Sequence, residues 1–230
     1  MWLRRDAQKE RGKLRNPIKL SHSAMSVAED CELCGWLHFR GYRRPSFPAA
    51  GITHGVDRTA KELCDRHRQA RTLPGMLNST LTGELCPDRP FSISWKHASQ
   101  NCLVEGRLDE IFVIQGKYLA PLDHKTASGP PEEMRPSVVA QLDLYALLLS
   151  KWDLYSATYD VSPWGYALYH YPVLEADGAG DERLSIQSQM WYTSISADRA
   201  LERIEKVLRI VRGSRPLASP ECEYCRWKET

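Results

Sequence analysis

Apolar residues recur along this chain at two periods, and the change from one to the other predicts where helices give way to strands. Met25, Val27, Ala28 and Cys31 share a helical face behind Ser21 or Ser23, either of which can cap the first turn. That helix is expected to fray near Gly35, leaving Trp36 and Phe39 to pack. Val56, Ala60 and Leu63 mark a second helix over 52–70, with Arg58, Lys61, Arg66 and Arg68 around its other sides. From Cys102 to Ser128 the pattern becomes that of two strands, joined by a tight turn at Gln115-Gly116-Lys117. A third helix is expected to begin near Glu132 and Glu133, with Val138, Leu142, Tyr145 and Leu149 on one stripe. Trp164 to Tyr171 alternate as a strand, and Asp177–Gly180 turns the chain toward a partner strand containing Leu184 and Ile186. Leu201, Ile204, Leu208 and Val211 make a last amphipathic helix, with Ser196 as its cap and Gly213 as its stop. Between Thr72 and Gln100 the pattern is weakest. It holds turns at Pro74-Gly75 and Pro87-Asp88, a short strand over 91–95, and loops suited to shaping a substrate site.

No linker or repeat divides this series. The chain reads as one domain over 21–230, preceded by a basic arm over 1–20. Its 230 residues suffice for one sizeable core, and 42% apolar with 26% charged residues is an ordinary globular composition. A net charge of +2 leaves any nucleic-acid contact to a local patch rather than to bulk attraction. No run of about 18 apolar residues predicts a membrane span. The N-terminal stretch lacks the apolar core of a leader peptide, so the chain reads as cytoplasmic. Seven cysteines in such a chain point to metal or cluster ligation before disulfides.

Folding the hairpin at Gly116 sets Asp109 opposite Asp123, and strand alternation turns Lys125 to the same face. Facing carboxylates repel, so a fold that keeps them usually has a cation between them. Two acids and an ammonium group converging in this way suit metal-assisted phosphodiester hydrolysis. Pro121 interrupts the second strand's hydrogen bonding and argues for an edge or a bulge.

Gly106-Arg107-Leu108-Asp109, the hairpin and Asp123-His124-Lys125-Thr126 together resemble the core of the PD-(D/E)XK nucleases, in their RecB-like branch. The resemblance implies an α/β fold with a restriction-endonuclease-like core, a mixed sheet flanked by helices. It implies that Asp109, Asp123 and the backbone carbonyl of His124 ligate Mg²⁺ or Mn²⁺, with Lys125 stabilising charge at the phosphorus. Gln141 and Tyr145 stand where that branch carries its Q-x-x-x-Y motif, side by side on one helix face. His54 resembles the branch's extra metal ligand, although Gly51 precedes it by three residues rather than the usual four, and Asp57 competes for the role. The implied substrate is nucleic acid, DNA first, in an exonuclease-like role in repair, recombination or defence. With no G-x-x-x-x-G-K-[ST] loop, any translocation would come from a helicase or other motor partner.

Cys31-x-x-Cys34 and Cys222-x-x-Cys225 are two pairs separated by nearly the whole chain. Four thiolates can close a tetrahedral Zn²⁺ site or hold an iron–sulfur cluster. RecB-like nucleases with a 4Fe-4S cluster staple their ends together with such cysteines. That favours the cluster here, although their usual spacing is one and three rather than two and two. Cys64, Cys86 and Cys102 read as small buried hydrophobes. Two rival readings use the same residues: a nucleic-acid-binding module with a silent centre, and a structural zinc protein without nuclease activity.

Overall fold

The structure is a computed structural model and describes residues 12–45, 51–77, 82–87, 92–153, 157–176 and 182–226. In chain order its elements are β1 (Ile18–Leu20), α1 (His22–Asp30), α2 (Glu32–His38), α3 (Gly51–Ala70), β2 (Gly83–Leu85), β3 (Ile93–His97), β4 (Cys102–Gly106), β5 (Glu110–Ile114), β6 (Tyr118–Thr126), α4 (Pro136–Ser150), β7 (Asp160–Val161), β8 (Trp164–Ala176), β9 (Glu182–Ser194), α5 (Ala197–Arg212) and α6 (Glu223–Arg226). They fall into two compact units, one from residues 1–47, 94–106 and 198–230, the other from 48–93 and 107–197. The turn expected at Asp177–Gly180 and the arm over 1–11 lie outside the described residues.

The first unit holds a three-stranded sheet in the order β1-β4-β3. Residues 18–20 are therefore not part of an arm. Ile18 and Leu20 are buried either side of exposed Lys19, and β1 runs parallel to β4 with Ile18 opposite Cys102. Ser21 caps α1 by accepting from the Ala24 N–H at 3.3 Å. The helix breaks at Cys31, whose backbone is extended, and not at Gly35. Gly35 lies inside α2, where an added Cβ would fall 2.3 Å from Ala28 Cα. The glycine here serves a close helix approach. On α5, Ile204, Val207, Leu208 and Val211 are buried, and Arg203 grips Glu29 with two hydrogen bonds of 2.7 Å.

The second unit is built on a mixed sheet in the order β2-β5-β6-β8-β9, with β7 also paired to β6. β5 and β6 form the expected hairpin, pairing Glu110 with Leu122 through Ile114 with Tyr118. Gln115 and Gly116 take positive φ values of 53° and 64°, which is what the tight turn requires. The strand predicted to run unbroken from Cys102 is split at residues 107–109, because β4 belongs to the other sheet. Pro121 sits within β6, neither at an edge nor in a bulge. β6 pairs with β7 at Tyr118 and Leu119 and with β8 only from Leu122 onward. Leu119 turns its carbonyl to Ser162 at 2.8 Å, so Pro121, two residues on, faces the same side where no partner requires an N–H.

Alternation gives β6 two different faces. Ala120 and Leu122 join Cys64, Leu77, Phe112, Tyr166 and Leu168 in one core cluster. Phe112 and Leu122 are almost fully enclosed, and each such side chain contributes about 1.5–3 kcal/mol. The other face carries Asp123 and Lys125 toward α4. That helix begins at Pro136, later than the acidic pair at 132–133 predicted, since proline favours the first helical position. Val138, Leu142, Tyr145 and Leu149 are buried as the stripe requires, and Leu144, Leu147 and Leu148 are buried as well. No described helix is long and apolar enough to cross a membrane.

Candidate active site and cysteine centre

The β5–β6 ladder ends at Glu110 and Leu122, so its register sets Asp109 opposite Asp123 just beyond the last pair. Past that point β6 continues alone on its β5 side. The backbone N–H of His124 projects there and donates to Asp109 Oδ2 at 3.0 Å. Strand geometry aims the His124 carbonyl the same way. Asp109 Oδ1 takes an ion pair from Lys61 at 2.7 Å, and Lys61 also reaches Asp57 Oδ1 at 2.8 Å. Burial lowers the Lys61 pKa, but Asp109 and Asp57 more than compensate, so it is held above its ordinary value as an ammonium ion.

Asp123 is 2% exposed. Burial pushes its pKa up from 3.8 to about 6, Lys125 pulls against that, and the Asp109 charge adds to it. Lys125 forms an ion pair with Asp123 Oδ2 and donates to Gln141 Oε1 at 2.9 Å. The Gln141 amide nitrogen donates to Asp123 Oδ1 at 2.8 Å and to the Tyr145 hydroxyl at 2.6 Å. Tyr145 donates in turn to the Arg107 carbonyl at 2.8 Å. Burial, then the Asp123 charge, raise the Tyr145 pKa well above its ordinary range, so it stays a donor. One amide thus links an ammonium, a carboxylate and a phenol, and only one orientation of that amide satisfies all three.

Asp109, Asp123, Lys125, Gln141 and Tyr145 therefore converge in one unit. His54 does not join them; it is exposed in the first turn of α3. Asp57, one turn later, reaches Asp109 through Lys61. Lys61 itself was missed, and its i,i+4 spacing from Asp57 was the available signal. The residues fit a hard divalent cation. Asp123 Oδ2 is buried, and its partner among the described residues is the Lys125 ammonium. With Asp109 nearby and a carbonyl aimed alongside, it offers the oxygen donors such ions take.

A family model of the PD-(D/E)XK nuclease superfamily matches residues 43–230. The chain belongs to that superfamily. PD-(D/E)XK membership supports a metal-dependent nuclease that acts on nucleic acid, and the mixed sheet between helices agrees with the restriction-endonuclease-like fold. A solved structure described as "Crystal structure of SSO0001" is similar over 97% of this chain and 90% of that one, with 12% identity and a TM-score of 0.45. A search of curated proteins finds no match.

Cys31 and Cys34 precede the matched PD-(D/E)XK segment, yet they meet Cys222 and Cys225 within the first unit. Cys31 and Cys225 sulfurs are 3.5 Å apart, Cys34 and Cys222 3.7 Å, Cys34 and Cys225 3.9 Å. Burial pushes the Cys34 thiol up to about 12, against the pull of Arg44. Cys222 is raised by its burial, but the Cys225 backbone and neighbouring thiols bring it down to about 7. Leu33, Leu37 and Tyr224 pack around the sulfurs, and Arg44 lies 4.7 Å over the Tyr224 ring. Four clustered thiols of this kind can hold a metal.

Proposed function

We propose that the protein is a Mg²⁺- or Mn²⁺-dependent deoxyribonuclease of the RecB-like branch, acting on DNA ends in repair, recombination or defence. The observation that carries this reading is the buried Asp123 carboxylate, joined to Lys125, Gln141 and Tyr145 beside Asp109. A bound divalent ion supplies an activated water and screens phosphate charge. Asp109 and Asp123 are its ligands in this proposal, with the His124 carbonyl as a further one. Asp57 replaces His54 as the residue of α3 nearest to that role. Lys61, which pairs with both Asp57 and Asp109, would keep Asp57 as its partner if Asp109 held the ion. Lys125, once Asp123 is engaged, faces charge building at the phosphorus, and Gln141 holds its direction. Tyr145 fixes the backbone at Arg107, two residues before Asp109.

For the cysteine centre, the sulfur spacing supports a single tetrahedral ion. Zn–S bonds of about 2.3 Å give sulfur–sulfur edges of about 3.8 Å, whereas a four-iron cube carries its thiolates farther apart. The reading is a structural Zn²⁺ in place of the 4Fe-4S cluster that the sequence favoured. Metal analysis of anaerobically purified protein tests this: one zinc and no visible chromophore is expected, and a brown protein with iron and sulfide would refute it.

The nuclease reading is tested with end-labelled single- and double-stranded DNA and Mn²⁺, wild type beside Lys125→Ala. Cleavage by the wild type alone is expected. Binding without cleavage by both proteins would make the domain a silent binding module.

A further inference from the structure

Three buried side chains on the opposite face of β6 take no part in either centre. Cys64 comes from α3, Glu110 from β5 and His124 from β6, with exposures of 0%, 1% and 6%. Their ligand atoms all lie within 4.8 Å of one another. We propose that Cys64, Glu110 and the His124 side chain form a second metal site, suited to a thiophilic divalent ion of the Zn²⁺ class.

The donor set supports this choice. One thiolate, one imidazole and one carboxylate are all ligands Zn²⁺ accepts, while Mg²⁺ and Ca²⁺ would reject the sulfur. Distance supports it as well. Cys64 Sγ and His124 Nε2 are 3.9 Å apart. Bonds of about 2.3 Å to sulfur and about 2.0 Å to nitrogen around a tetrahedral ion span about 3.5 Å, so a few tenths of an ångström of closure suffice.

The surroundings have the form that metal-binding histidines require. His124 Nδ1 lies 2.9 Å from His170 Nε2, and His170 Nδ1 lies 2.8 Å from Ser188 Oγ. When each imidazole donates outward along that chain, His124 Nε2 keeps its lone pair for the ion. Arg68 plays the matching part for Glu110. It pairs with Oε2 and anchors itself on the Cys86 carbonyl, which fixes the carboxylate beside Cys64 and His124. Binding releases the Cys64 proton to solvent, so thiolate and carboxylate together match the two positive charges of the ion, with the Arg68 charge remaining beside them. The ion would tie α3, β5 and β6 together at the residue flanked by Asp123 and Lys125, whose backbone N–H holds Asp109.

The full chain, purified from zinc-supplemented medium without chelator, is weighed by native mass spectrometry and assayed for metals beside Cys64→Ala and Glu110→Gln. Each variant is expected to carry one zinc per chain fewer than the wild type, whatever the four-cysteine centre holds. Equal zinc in all three overturns the site. A variant that misfolds could also lose metal, so cadmium-substituted wild type is examined by cadmium NMR. A resonance in the range of mixed one-sulfur ligation, distinct from any four-sulfur signal, is expected; its absence overturns the proposal without recourse to a variant.

Discussion

The carboxylate site and the cysteine centre both crowd ligands of one sign, but they hold them by opposite means. Around Asp109 and Asp123 the protein supplies its own cations, Lys61 and Lys125, so acidic ligands persist in a folded sheet before any ion arrives. Beside the cysteines the Arg44 guanidinium pulls on Cys34, yet burial still pushes that thiol up to about 12. A thiol such as Cys34 becomes a ligand when a bound ion displaces its proton. The first arrangement suits an ion that comes and goes with substrate. The second couples the ion to the folding of the unit that contains it.

The largest effect is therefore expected at the cysteines. Cys225→Ser should destabilise the protein by more than about 4 kcal/mol, as loss of a structural metal does. Urea denaturation followed with metal analysis checks it, and a variant that keeps wild-type stability without metal would erase the contrast. Lys125→Ala comes next, with a loss of about 100- to 1000-fold in cleavage, the scale of removing one electrostatic stabiliser. Its melting temperature at neutral pH should fall as well, because buried Asp123 loses the ammonium that balances its charge, and steady-state cleavage with calorimetry on the same sample separates the two effects.

A smaller effect separates the sites by pH. The folded Asp123 carboxyl holds its proton up to about 6 and the unfolded one only to 3.8, so this group's contribution to stability falls as pH rises across that window. Ionised at neutral pH it costs up to about 3 kcal/mol, at 1.36 kcal/mol per pKa unit. His124 works the other way. Burial, with His170 beside it, lowers its pKa from 6.5 to about 4, so its contribution rises with pH between those values. The two trends oppose each other in the wild type. Asp123→Asn should leave only the rising one and stabilise the protein at pH 7 in buffer without Mg²⁺ or Mn²⁺. Thermal melts from pH 4 to 7 test it, and a variant less stable than wild type at pH 7 would contradict the assignment. Tyr145→Phe should have the smallest effect, about 1 kcal/mol from the lost hydrogen bond to Arg107, with cleavage reduced rather than abolished.

Much of the second unit was legible because local rules governed it. Gly116 fixed the turn, the turn fixed the register, and the register set Asp109 opposite Asp123. Gln141 and Tyr145 were readable as neighbours from helical spacing alone. The misreadings arose where a distant segment decided. β1 forms because β4, some 80 residues later, offers it an edge, and the apparent long strand splits at 107–109 for the same reason. Gly35 looked like a helix end because nothing nearby revealed that Ala28 would press against it. Pro121 looked disruptive because the change of partner from β7 to β8 depends on a chain segment not yet read. Lys61 lay on a face that resembled solvated charge until α3 was set beside Asp109.

The separation of the two cysteine pairs also orders events on the ribosome. Cys31 and Cys225 are 194 positions apart. At about 5–20 residues per second, translation takes roughly 10–40 s to deliver the second pair after the first. For that interval Cys31 and Cys34 can offer an ion only two of its four sulfurs, while the segments of the second unit, residues 48–93 and 107–197, are synthesised in full before it ends. The nascent chain can thus shape its hairpin and its acidic pocket first. The clasp that joins Cys31 and Cys34 to Cys222 and Cys225 closes only after the acidic pocket's residues have all been made.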